Sequence, residues 1–145
     1  MPQSQNISDY IDQLNLSDKQ YFTIEHANAA LPYISKIIAD ITSTYSNLIK
    51  HRQDIDQPFI NQDPKELEML YEKTMDKLSY FVDELQQAGV ELKDFERGLV
   101  SFPALHRNKE ICLCWQHGQD QVHGWHHLDE SPSSLRNLDQ IMQPA

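Results

Sequence analysis

The sequence predicts an α+β domain: an antiparallel pair of long helices followed by a small antiparallel β-meander. Three observations lead there. Apolar residues recur at spacings of three and four from Ile34 to Ile49, and again from Leu67 to Leu85. After Gly89 that period gives way to short apolar runs. The last two runs, E-I-C-L-C-W and Q-V-H-G-W-H, flank H-G-Q-D, a turn sequence.

The first twenty residues are polar and read as a flexible arm carrying a weak helical stretch, I-S-D-Y-I-D-Q-L. Thr23 then caps a helix that opens I-E-H-A-N-A-A-L, with His26 where a capping box wants an acid or amide. Pro32 should kink that helix or restart it. Beyond it, Ile34, Ile38, Ile41, Tyr45, Leu48 and Ile49 form one stripe, which fades between His51 and Asp54.

D-I-D-Q-P-F-I-N-Q-D is a loop by its Pro, Asn and Asp. Asp63-Pro64-Lys65-Glu66 restarts the helix, with Asp at the cap and Pro at the first helical position. Leu67, Leu70, Tyr71, Met75, Leu78, Phe81, Val82 and Leu85 make the second stripe, and Gly89 ends it. Helices joined by so short a loop pack antiparallel. Each stripe offers about six large side chains, each worth about 1.5–3 kcal/mol when buried.

The meander follows. V-E-L-K-D-F and G-L-V-S-F-P-A-L supply its first strands. Gly98 is suited to a left-handed turn, and Pro103 should close the second strand. From Asp129 onward the chain reads as loop, with 131–145 a flexible tail; the single domain spans 21–130.

Composition narrows the function classes. The chain has 145 residues, a net charge of −10 and 23% charged residues. It lacks the basic surface that phosphate backbones and anionic membranes require. No apolar run approaches the ~20 residues of a membrane span. No basic-then-apolar leader is present, so the expected location is the cytoplasm. The two cysteines, Cys112 and Cys114, are expected to be thiols there.

The segment Ile111–His127 holds both cysteines, both tryptophans and four of the seven histidines. A reversal centred on Gly118-Gln119 would set Cys114 opposite His123 and Cys112 opposite Trp125. Cys112, Cys114, His123, Trp125 and His127 would then share one face, and Ile111, Leu113, Trp115, Val122, Gly124 and His126 the other. Two readings follow. The thiols are small buried hydrophobes, or Cys114, His123, His126 and Cys112 hold a transition metal, zinc or iron. A Cys114–His123 nucleophile lacks an orienting carboxylate. The acids of the second helix, Glu66, Glu68, Glu72, Asp76, Asp83 and Glu84, line its solvated side rather than a di-iron core. No phosphate-loop, dinucleotide or zinc-protease motif occurs.

F-T-I-E-H-A-N-A-A-L-P, G-V-E-L-K-D-F-E-R-G-L-V-S-F-P-A-L and E-I-C-L-C-W-Q-H-G-Q with W-H, spread over roughly 21–129 in this order, resemble a bacterial family of short proteins classed as a domain of unknown function. The resemblance implies a helical hairpin followed by a small β-unit. It implies no activity. Its motif positions fall on Asn28, Pro32, Lys93, Asp94, Gly98, Phe102, Pro103, Cys114, Trp115, Gly118, Trp125 and His126. Four places depart from it: His26 and Ser101 stand where acids are expected, Gln119 replaces Glu, and the tail differs.

The leading expectation is a non-enzymatic interaction or scaffold protein that self-associates or binds another protein, with no nucleic-acid or membrane partner. The alternative is a transition-metal-binding protein or metalloenzyme. A third reading is a small-molecule site using Asp94, Trp125 and His127.

Overall fold

The computed structural model describes residues 20–57, 62–131 and 133–142. Two helices come first, α1 (Ile24–Asp56) and α2 (Pro64–Gln87). Four strands follow: β1 (Glu91–Asp94), β2 (Leu99–His106), β3 (Lys109–Gln116) and β4 (Gly124–His127). A last helical turn, α3, spans Asp139–Met142. The sheet is an antiparallel meander in the order β1-β2-β3-β4. The α+β architecture read from the sequence is therefore the observed one. The expected N-terminal arm falls almost wholly outside the described residues.

The helix starts follow their caps. Thr23 Oγ1 accepts from the His26 N–H at 3.0 Å, and Asp63 Oδ1 accepts from the Lys65 N–H at 3.0 Å. Pro32 neither restarts nor ends α1, which runs through it unbroken. One missing donor is a local loss, and Ile34, Ile37, Ile38 and Ile41 on the following turns are all buried. α1 and α2 pack side by side, with Leu48, Leu78 and Leu85 in the shared core.

The sheet's front face packs on the hairpin. Val100, Phe102 and Ala104 of β2, Ile111, Leu113 and Trp115 of β3 and Trp125 of β4 join Ala27, Leu31, Ile34, Ile38 and Ile41 of α1 in one cluster. Gly98 makes that contact close. A Cβ there would come to 2.7 Å from Ile38 Cγ2 and 2.7 Å from His117 Cβ, and its φ is +67°.

Two strand expectations are corrected. β2 continues through Pro103 to His106. Pro103 lies past the end of β1, and its carbonyl accepts the Phe22 N–H at 2.7 Å. Its N and C=O therefore both face away from β3, so the absent N–H costs no ladder bond. The β2–β3 turn is made by Arg107 and Asn108, both at positive φ (53° and 63°), a primed hairpin turn without glycine.

The second correction concerns β3 and β4. The chain turns one residue earlier than expected: the Gln119 N–H donates to Gln116 O at 3.0 Å, with Gly118 at φ +98°. Residues 117–123 form a longer connection, and the register becomes Ile111↔His127, Cys112↔His126, Leu113↔Trp125 and Cys114↔Gly124. A slip of one residue turns every β4 side chain to the other face. Trp125 and His127 move to the front, and His126 to the back.

Candidate functional site

The back of the sheet gathers the soft donors. Register places Ser101 and Pro103 of β2, Cys112 and Cys114 of β3, and Gly124 and His126 of β4 on this face. All six are buried, and both cysteines are free thiols. Cys112 and Cys114 stand outside the hydrophobic cluster that fills the front.

His126 is the unusual member. It is 3% exposed. Its Nδ1 lies 2.7 Å from the His127 carbonyl, which can only accept, so Nδ1 carries a proton. Nε2 is buried and has no hydrogen-bond partner among the described residues. In the neutral ring it is a bare lone pair, at a cost of about 1–3 kcal/mol for a buried orphan. Directly across the strand pair stands Cys112.

The thiols differ in their surroundings. Burial pushes the Cys114 thiol up to about 12, the neighbouring Cys112 adds to this, and Lys93 opposes it weakly. Cys114 is thus held neutral, the opposite of an activated nucleophile. His123, expected across from Cys114, is an exposed residue whose N–H donates to the Cys114 carbonyl at 3.0 Å. Partial desolvation lowers the His123 imidazole, offset in part by that carbonyl. Gly124 occupies the place opposite Cys114, so the expected Cys114–His123 juxtaposition is replaced by Cys112–His126. Among the described residues no three His, Cys, Asp or Glu side chains converge as a metal-ligand set.

The proposed binding trio is also dispersed. Asp94 Oδ1 accepts the N–H groups of Glu96 and Arg97, both at 2.9 Å, and so builds the β1–β2 turn. Trp125 is a core residue on the far edge strand, about 14 Å away at three strand spacings. His127 packs edge-on against Trp125 with ring centres 5.1 Å apart.

What encloses Trp125 gave no signal in the sequence. The Arg136 guanidinium lies 5.2 Å from its ring centre and forks onto Glu130 at 2.6 and 2.8 Å. Arg136 and Trp125 exchange both backbone hydrogen bonds, and the indole N–H donates to Asn137 O at 3.1 Å. Gly124 lies against this segment, where a Cβ would meet Arg136 O at 3.1 Å. At the other end of the connection, Asn28 Oδ1 of α1 accepts the Val122 N–H at 2.8 Å. Gln119 Oε1 accepts the Gln116 N–H at 3.0 Å, a turn role that an amide oxygen fills as well as a carboxylate.

The chain matches the model of an uncharacterized conserved protein family, DUF2203, over residues 20–137. It belongs to the DUF2203 family. No curated protein and no solved structure matches it. The DUF2203 region spans both helices, the whole sheet and the segment that closes over Trp125. Among the described residues no helix is long and apolar enough to cross a membrane.

A further surface was hidden within the helical stripes. Ile49 and Met75, both at stripe positions, are each 42% exposed. The ring of Tyr45 stacks on Phe95 of the β1–β2 turn at 5.2 Å. A hollow of about 430 Å³ opens there, lined by Thr42, Tyr45, Ser46, Ile49 and Glu96. A second, of about 400 Å³, lies on the other side of Phe95 against Val82, Leu85, Gln86, Glu91 and Leu92.

Proposed function

We propose that this DUF2203 protein is a non-enzymatic interaction protein that self-associates through the exposed apolar residues of its helical hairpin. One observation carries the reading: Ile49, Met75 and Phe95 are exposed apolar residues, and Ile49 and Phe95 each line an open hollow. Exposed apolar surface of this kind is what a partner covers. A second copy is the simplest occupant, because a two-fold contact sets one patch against itself and needs no other matching surface. The net charge of −10 resists the approach of two copies, and Glu96 and Glu91 on the rims of the hollows add to that repulsion. Association therefore strengthens with salt.

Light scattering and sedimentation at micromolar concentration test this. The expected particle is a dimer that strengthens from about 0.05 M to about 0.5 M salt, and that Ile49→Asp with Met75→Asp converts to a folded monomer. A particle that stays monomeric at every concentration and salt, or a dimer indifferent to both substitutions, overturns it.

A further inference from the structure

The back of the sheet carries an inference independent of self-association. We infer that Cys112 and His126 form a two-donor site for a soft monovalent cation, Cu(I). The two residues face each other across β3 and β4 on one side of the sheet. They are 4% and 3% exposed, so neither is a surface group picking up ions by chance. Nδ1 of His126 is committed to the His127 carbonyl, which leaves the ring's lone pair on Nε2 with nothing to accept from. An imidazole fixed by its second nitrogen in this way is the usual arrangement of a metal-bound histidine.

The donor count selects the metal. Zinc sites take four protein ligands, or three and a water, and no such set converges among the described residues. Thiolate sulfur favours Cu(I) over the harder divalent ions, and Cu(I) is satisfied by two soft donors in line. Cys112, rather than Cys114, is the sulfur donor, because it stands opposite His126 while Cys114 faces Gly124. Binding is a proton exchange: the Cys112 S–H bond breaks, an S–Cu bond forms, the proton leaves to solvent, and the Nε2 lone pair completes the pair without change of redox state.

The test is titration of the reduced full-length protein with Cu(I) buffered by a chromophoric chelator, with Ag(I) as a probe that cannot cycle its oxidation state. The expected result is one ion per chain. Cys112→Ser and His126→Gln should each weaken binding by at least roughly tenfold, and His123→Gln should leave it unchanged. Near-UV circular dichroism of Trp115 and Trp125 reports whether the variants fold. If they do not, nitrogen NMR of the wild type decides: Ag(I) must move the His126 Nε2 resonance and leave Nδ1 protonated. Absence of stoichiometric binding by the folded chain, an unmoved Nε2, or full binding in His126→Gln overturns the site. So does a preference for Zn(II) over Cu(I).

Discussion

The front of the sheet carries Val100, Phe102, Ile111, Leu113, Trp115 and Trp125; the back carries Ser101, Pro103, Cys112, Cys114, Gly124 and His126. Both sets are buried, and they are the same strands read at alternate residues. Large hydrocarbons facing α1 supply transfer free energy and contacts over a wide area. The back offers small side chains, two sulfurs and an imidazole with an unmatched nitrogen. Burial on the front is explained by stability. On the back the same burial leaves one polar atom unsatisfied, which is how functional sites commonly differ from core.

The largest expected effect tests that division directly. Leu113→Ala removes a fully buried front residue and should cost about 3–5 kcal/mol. Cys112→Ala, at the neighbouring position on the back, should cost about 1 kcal/mol. Urea unfolding of the metal-free protein measures both. Equal costs would mean that the back is core in the same sense as the front.

Gly98→Ala comes next and breaks the front from the side of the turn. Its φ of +67° costs an L-residue about 1–2 kcal/mol, and overlap with Ile38 and His117 adds about 1–3 kcal/mol. Gly118→Ala shares the positive φ but meets nothing within 4 Å, so only the about 1–2 kcal/mol of strain remains. The difference between the two isolates the helix–sheet contact.

These faces also mark how far the sequence could be read. The hairpin, its caps and the change of period after Gly89 are local signals, and the helices start where Thr23 and Asp63 say they should. Strand register is not local. A tight reversal at Gly118-Gln119 and the longer 117–123 connection fit the same letters, yet they set opposite faces of β4 inward. The choice was legible in another way: of the two, the observed register is the one that puts Trp125 with Ile111, Leu113 and Trp115 on the apolar face. Ile49 and Met75 illustrate a different limit. Their spacing marks the stripe but says nothing of which stripe positions stay uncovered. The Arg136–Glu130 fork was not legible at all, because it closes a polar segment onto Trp125 through geometry formed only once β4 is in place.

Asn28→Ala should have a smaller effect, about 1–2 kcal/mol, by stranding the Val122 N–H beneath the front face. Val122 is 4% exposed, so water cannot replace the lost acceptor. Amide exchange at Val122 should rise more than at Leu113, since the connection opens before the sheet does. Equal acceleration at both sites would mean that Asn28 supports the whole domain rather than the 117–123 connection.

The smallest expected effect separates the clasp around Trp125 from the rest of the front. Glu130 accepts the His127 N–H at 2.8 Å and pairs with Arg136, and these contacts hold its carboxyl below the ordinary 4.5. The folded state therefore binds this proton less readily than the unfolded chain. The contribution is complete above pH 4.5 and is lost as pH falls through the lower folded value. Acid should accordingly release the Arg136 fork and move the Trp125 indole N–H resonance at a midpoint below 4.5, leaving Trp115 in place. Arg136→Gln should carry that midpoint back toward 4.5, though not all the way, because the His127 N–H is the larger cause and remains. If Trp115 and Trp125 respond together, the segment after β4 is not a separable closure but an inseparable edge of the front core.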